Sequence, residues 1–239
     1  MADKKGFDVE NLGDELIERV EPAKEFVQKY ARMILYAVGG LVVFIGAVIG
    51  YRYYIGGKNN EAKKEIYKLQ LMFEKDSFNI VLNGRTGENG KTPIKSAIEI
   101  IDEFKGTAQA NLAHYYAGVA SLYTGKYDDA IEHFGKFDSD DDVVGADALG
   151  MTGDAYVEKG ADSYNDAVKY YEKAASFHAN GSTTPHYLWK AAGVYEALKQ
   201  YKKAVNCYEI IKKDYPKSEQ ARDIDKYLEL AKILAEQGN

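Results

Sequence analysis

The segment 77–93 is the part of this 239-residue chain that comes closest to a recognisable chemistry. It contains Gly90, Lys91 and Thr92, the end of a phosphate-binding loop, in which backbone N–H groups and a lysine hold a nucleotide phosphate. Such a loop also needs a glycine five positions before that tripeptide's glycine, and Arg85 stands there. We therefore interpret the segment as an exposed turn rich in Gly and Asn, and we expect no nucleotide to bind.

Other residues that could ligate a metal or attack a substrate are scattered. The four histidines show no spacing that places two on one helical face with a carboxylate, so no zinc or catalytic site is predicted (His114, His133, His178, His186). Four aspartates crowd one turn but lack the glycine and the final glutamate of an EF-hand, so we expect a solvated turn (Asp138, Asp140, Asp141, Asp142). Within it, Asp142 is expected to cap a helix. Cys207 is expected to be a small buried residue.

These observations exclude several classes of function. We expect no catalytic residue, no metal, no cofactor and no small-molecule substrate, and hence a protein that is not an enzyme. The net charge of −6 and the lack of a basic stripe also argue against a nucleic-acid partner.

A run of nineteen residues, 33–51, carries no charged side chain. As a helix it spans roughly 28 Å, about the thickness of the hydrocarbon core of a bilayer. Arg32 and Arg52 bracket it, and tyrosines cluster near both ends, where aromatic rings favour the headgroup region. We predict one membrane-spanning helix over 33–55, with the lipid bilayer as a partner. A cleaved signal peptide stays open, because Val48 and Gly50 loosely resemble a cleavage site.

Two glycines inside this run, Gly46 and Gly50, form a small-xxx-small pattern. In lipid such a face lets a second helix pack closely, so we predict helix packing there and a possible oligomer. Lysines and arginines number four on each side of the run within fifteen residues, so charge alone does not decide the orientation.

One spacing occurs three times between residues 108 and 217: a small residue, an alanine twelve or fourteen residues later, and an aromatic residue four positions after that. The copies are Gly118–Ala130–Phe134, Gly153–Ala167–Tyr171 and Ala192–Ala204–Tyr208. The small residues and alanines let two helices approach, and each aromatic ring fills space one turn along the same face. Gly125 and Gly160 suit left-handed turns, and Pro216 ends the third copy.

The spacing resembles the tetratricopeptide repeat, a helix–turn–helix unit of about 34 residues. Such units stack into a superhelix whose concave surface binds a partner. Together with the apolar run, the resemblance implies an all-α chain, with a single N-terminal transmembrane helix followed by a superhelix of about three repeats plus flanking helices.

We divide the chain into five segments. The tail 1–32 is predicted to be amphipathic and interrupted near Pro22, and Gly56 and Gly57 are predicted to form a hinge after the span 33–55. The segment 59–107 is a degenerate helical pair with a Gly/Asn-rich loop, and its helices are predicted over 59–76 and 93–104. Three repeats occupy 108–217. A capping helix over 218–236 lies within the last segment, 218–239.

Three further stretches resemble the YfgM-like tetratricopeptide proteins of the bacterial inner membrane: FEKDSF (73–78), FKGTAQANLAHYYAG (104–118) and GDAY (153–156). The resemblance implies a cytoplasmic N-terminus and a periplasmic repeat domain. It also implies an ancillary role at the SecYEG translocon, with translocon subunits, periplasmic chaperones or client chains as protein partners.

A protein-binding groove is expected along the first helix of each repeat. By repeat phase it includes seven residues: Tyr115, Val119, Leu122, Asp154, Glu158, Trp189 and Glu196. Two hypotheses follow from the sequence. The chain is either a membrane-anchored scaffold for the Sec translocon, or a structural assembly factor that oligomerises and organises an envelope or secretion complex.

Overall fold

A computed structural model describes residues 9–88 and 91–237, and within them the side chains except those of 9–25 and 27. These residues form ten α-helices and no strand, which confirms the all-α class for this part of the chain. Their Cα positions cluster into two compact units, Met1–Ile55 and Gly56–Asn239.

The first helix, α1 (Val9–Phe73), contains 65 residues. It is helical through Pro22, Gly56 and Gly57, so the interruption predicted near Pro22 is wrong, and the hinge at Gly56 and Gly57 stays a prediction. Helical geometry tolerates isolated glycines at a cost of about 1 kcal/mol each. Judged by length and composition, α1 supplies the only helix of the described residues that could cross a membrane, within Gln28–Phe73.

Two short helices follow α1. The helix α2 (Phe78–Asn83) occupies residues that the phosphate-loop pattern would make a strand. The helix α3 (Ala97–Glu103) begins four residues later than predicted, because Ser96 and Glu99 form a capping box at its N-terminus. Between them, Arg85 and Ile94 exchange backbone hydrogen bonds in an isolated antiparallel bridge.

Three helical hairpins occupy the region of the predicted repeats. They are α4 (Ala108–Tyr123) with α5 (Tyr127–Lys136), α6 (Val144–Glu158) with α7 (Tyr164–Ser176), and α8 (Thr183–Ala197) with α9 (Tyr201–Asp214). Each helix packs against the next one along the chain, and α10 (Ile224–Gln237) packs against α9. The predicted terminal helix is therefore shorter at its start, because residues 216–223 form turns.

The repeated spacing has the packing role that the sequence predicted. A Cβ atom added to Gly118 would lie 2.7 Å from the ring of Phe134, and one added to Gly153 would lie 2.7 Å from the ring of Tyr171. The alanines at the second position, Ala130, Ala167 and Ala204, are fully buried. The turn residue Gly125 has a φ of 76°, a conformation that side chains disfavour.

The core of the second and third hairpins continues into the last helix. Ile224, Leu228 and Ala231 of α10 are buried in the same apolar cluster as Tyr171 and Tyr208. At the start of α6 the predicted cap is wrong by one residue: Asp141, not Asp142, accepts hydrogen bonds from the backbone N–H groups of Val143 and Val144, each at 2.9 Å.

Candidate protein-binding groove

Side chains from the hairpins α4–α5, α6–α7 and α8–α9 line one open cavity of about 470 Å³, which we call the groove. Its lining residues are Leu122, Tyr123, Tyr127, Asp154, Val157, Glu158, Tyr171 and Lys190. Three of the seven residues predicted for the binding surface meet there: Leu122, Asp154 and Glu158. Because three hairpins contribute to it, the groove exists only when the repeats are stacked.

Asp154 is the best-connected polar residue of the groove. Both of its carboxylate oxygens accept hydrogen bonds from the Lys190 ammonium group, at 2.8 Å each. The Tyr171 hydroxyl also donates to Asp154. Burial and then the nearby Asp154 charge raise the pKa of Tyr171, which keeps its hydroxyl a donor at neutral pH. The three side chains therefore link α6, α7 and α8 across the floor of the groove.

The rim of the groove carries further charge and exposed aromatic surface. Glu158 is exposed, and the Tyr127 hydroxyl approaches it at 3.5 Å. Lys159 forms an ion pair with Asp128 of α5. Tyr123 is 66% exposed although its ring stacks on Phe78. A partner would thus meet both apolar surface and charged groups of either sign.

Hydrogen bonds from tyrosine hydroxyls to carboxylates recur through the repeats. Tyr187 donates to Asp147 at 2.6 Å, and Tyr208 donates to Glu196 at 3.0 Å. Tyr195 donates to Glu172 in the same way. Burial is the largest cause of the raised pKa of each of these tyrosines. The pairs fix the rings, and each hydroxyl occupies one oxygen of its carboxylate.

The other predicted groove residues pack inside the repeats. Tyr115 contacts the rings of Phe134 and Phe137, and burial raises its pKa to about 12. Val119 is only 3% exposed. Trp189 lies against Tyr227 of α10, with ring centroids 4.5 Å apart. Glu196 is held by Tyr208, as described above. None of these four lines the groove.

Sequence reasoning missed Lys190, which closes the groove on the α8 side. Repeat phase predicted a groove position at the neighbouring residue, Trp189, and an aromatic side chain made that choice attractive. The helical register nevertheless points Lys190 towards Asp154, 36 positions earlier. A search for opposite charges about one repeat apart would have found this pair.

The described residues considered for phosphate binding, thiol chemistry or metal binding lie apart from the lining of the groove. Gly90 lies outside the described residues, whereas Lys91 and Thr92 are exposed. Cys207 is buried, and burial raises the pKa of its thiol to about 12. In the described ranges, no group of three or more His, Cys, Asp or Glu side chains is arranged to hold a metal ion.

Comparison with known proteins bears on the third hairpin. A family profile described as Tetratricopeptide repeat matches residues 187–218, which contain most of α8 and all of α9. No curated protein and no solved structure matches the chain. The match supports a tetratricopeptide repeat protein, and such repeats are in general modules for protein–protein interaction rather than catalysis.

Proposed function

We propose that this chain is a membrane-anchored scaffold that holds another protein in the groove between α4 and α8. The observation that carries the proposal is the groove itself, which three stacked hairpins build and which combines apolar, acidic and basic side chains. Its lining includes the apolar Leu122 and Val157 beside the charged Glu158. This combination suits a protein segment with apolar anchors and charged flanks.

The proposed membrane anchor is the apolar part of α1. Its large side chains are exposed along the whole run, for example Leu35 at 68% and Val43 at 73%. An apolar surface of this length is unfavourable in water, and a bilayer would cover it. None of the most apolar 18 residues of α1 is buried, whereas the core helix of a soluble protein is mostly buried.

The finer assignment follows from the resemblance to the YfgM-like family. In this proposal the N-terminus is cytoplasmic and the repeats face the periplasm. The groove then holds a periplasmic chaperone or a client chain near the Sec translocon of the inner membrane. The five segments described from the sequence serve this plan.

In-cell photocrosslinking tests the proposal. A photoreactive residue at Glu158 or at Leu122 should trap the same set of proteins, because both positions line the groove. The matched control is the same residue at Lys213, which is exposed on α9 and does not line the groove. Equal trapping from all three positions would remove the groove assignment, and trapping of cytoplasmic proteins alone would reverse the proposed topology.

A substitution provides the second arm of the test. Glu158→Lys reverses a charge at the rim, and because the side chain is exposed the helices should remain intact. We expect weaker capture of the proteins identified by crosslinking, with unchanged circular dichroism. Substituting Tyr115 or Trp189 would be a poor test, since both pack inside the repeats.

The alternative function is that of an assembly factor that oligomerises through its anchor. The observation in its favour is that Gly46 and Gly50 are open: a Cβ atom at either position would meet no described residue within 4 Å. A blue-native gel separates the two proposals. Co-migration with translocon subunits favours the scaffold, whereas a large homo-oligomer that survives loss of the translocon favours the assembly factor.

A further inference from the structure

Two histidines that lie 19 positions apart in the sequence meet in the first hairpin. The Nδ1 atoms of His114 on α4 and His133 on α5 are 3.1 Å apart. The ring centroids are 5.4 Å apart and the ring planes are inclined by 44°. The two imidazoles therefore approach each other through their nitrogen atoms rather than by stacking.

The distance between the nitrogens suits two ligands of a single metal ion. Imidazole nitrogens bind Zn²⁺ at about 2.0–2.1 Å, so two of them lie about 3.3 Å apart at a tetrahedral angle and about 2.9 Å apart at a right angle. The observed 3.1 Å falls between these values. An ion could thus bind both Nδ1 atoms once the rings turn so that both lone pairs point towards it.

The charge state of the pair also suits a metal. Burial is the largest cause that lowers the pKa of each histidine, so both rings are neutral at pH 7. Neutral imidazole is the form that binds transition metals. The charged groups around the pair are Lys136, Glu132 and Asp129 on α5. Lys136 and Glu132 form an ion pair with each other, which limits the repulsion between Lys136 and a cation.

An open cavity of about 540 Å³ reaches His114 of the pair. His114 lines it together with Asp102, Asn111 and Lys136. The Asn111 amide is engaged with the backbone of Asp138, to which it donates at 2.7 Å and from which it accepts at 3.0 Å. The cavity leaves room for water to fill the remaining coordination positions of an ion.

We propose that His114 and His133 form a two-imidazole site for a first-row transition-metal ion such as Zn²⁺ or Cu²⁺, which clamps α4 to α5. With only two protein ligands, the site is open and exchanges its metal with solution. Binding fixes the first hairpin, which contributes Leu122, Tyr123 and Tyr127 to the groove. The site neither requires the proposed partner nor depends on the membrane anchor.

The test uses the full chain, purified in detergent without a histidine tag and treated with a chelator. Addition of Zn²⁺ to a hundredfold excess over its dissociation constant should raise the melting temperature by about 5 °C or more. The increase should shrink below pH 6, as protons compete for the imidazoles. One equivalent of Cu²⁺ should give an electron paramagnetic resonance spectrum with nitrogen coupling.

The variants His114→Gln and His133→Gln should each lose the zinc-dependent shift and the nitrogen coupling while keeping their helical content. His178→Gln is the matched control, because His178 is exposed and pairs with Asp142 in another turn. A shift that survives in either pair variant would place the metal elsewhere. If zinc does not change the melting temperature of the wild-type protein, the two histidines form only a hydrogen bond between α4 and α5.

Discussion

The glycines in the apolar run of α1 and three glycines of the repeats, Gly118, Gly150 and Gly153, have opposite surroundings. In α1, a Cβ atom at Gly39, Gly40, Gly46 or Gly50 would meet no described residue within 4 Å. In the repeats, a Cβ atom at Gly118 or Gly153 would lie 2.7 Å from a buried aromatic ring, and one at Gly150 would lie 1.9 Å from Tyr187. The same residue type thus creates an open surface in one region and a filled contact in the other.

The difference shows how each region is stabilised. At Gly118, Gly150 and Gly153, glycine is needed because a buried ring of the repeats occupies the space of the missing side chain. In the apolar run of α1, no described residue occupies the corresponding space. Substitutions at the two sets of glycines should therefore have very different effects on unfolding.

The largest effect is expected for Gly150→Ala. The new methyl group would overlap the ring of Tyr187, whose hydroxyl donates to Asp147 at 2.6 Å, so the ring must move and the hydrogen bond must lengthen. Overpacking of this kind should cost about 3 kcal/mol of unfolding free energy, less the roughly 1 kcal/mol gained in helix propensity. Thermal and urea unfolding measure the change. If the variant is as stable as the wild type, displacement of the Tyr187 ring costs no unfolding free energy.

The second effect concerns a contact within the first hairpin, Gly118 against Phe134. Gly118→Ala should cost about 1–2 kcal/mol, because the ring of Phe134 is buried and cannot move into solvent. Phe134→Leu removes the ring edge and should relieve the overlap. The double variant should then lose about 1 kcal/mol less unfolding free energy than the sum of the losses in the two single variants. Simple additivity in this cycle would contradict a direct contact.

The third repeat has an alanine at the equivalent position and offers the reverse experiment. Ala192 is fully buried, and the aromatic residue at the third position of its copy is Tyr208. Ala192→Gly removes a methyl group and adds backbone freedom, so it should cost about 1 kcal/mol or slightly more. A neutral result would mean that the third hairpin tolerates glycine as well as the first two, and that the choice of alanine carries no packing information.

Periodicity within one repeat was sufficient to predict contacts within that repeat. Gly118, Gly153 and the three alanines follow directly from the spacing, because residues on one helical face recur every three or four positions. The contact of Gly150 with Tyr187 was not predictable in this way, since it joins α6 to α8 and no local pattern marks it. Stacking between repeats depends on the superhelix, which periodicity does not specify.

The same limit explains the outcome at the candidate sites. Leu122, Asp154 and Glu158 were found because they share a phase on successive first helices. Lys190 and the pair of His114 and His133 were missed, since the partners lie on different helices and the loop between α4 and α5 sets their register. A search confined to single helical faces cannot detect such meetings.

At Gly56 and Gly57 local reasoning did not predict that the helix continues. Two adjacent glycines lower helix propensity by about 2 kcal/mol in total, which favoured a hinge. The helix α1 nevertheless continues through them, flanked by long helical stretches on both sides. Propagating an existing helix costs far less than starting a new one, so a double glycine inside a long helix does not by itself end it.

The smallest effect on unfolding is expected at the open glycines of α1. Gly46→Ala and Gly50→Ala should change the unfolding free energy of the repeats by less than about 0.5 kcal/mol, since no described side chain contacts these positions.

Substitutions to a larger residue distinguish lipid from a second helix as the neighbour of these glycines. If lipid is the neighbour, Gly46→Leu and Gly50→Leu will leave self-association in vesicles unchanged, because lipid chains adapt to either side chain. If a second helix packs on this face, both leucine variants will reduce energy transfer between labelled copies. The control is Gly40→Leu, which lies about 100° around the helix from the centre of the Gly46–Gly50 face and should leave the energy transfer unchanged. Unchanged self-association is sufficient for the scaffold, whereas the assembly factor requires that the leucine variants reduce energy transfer.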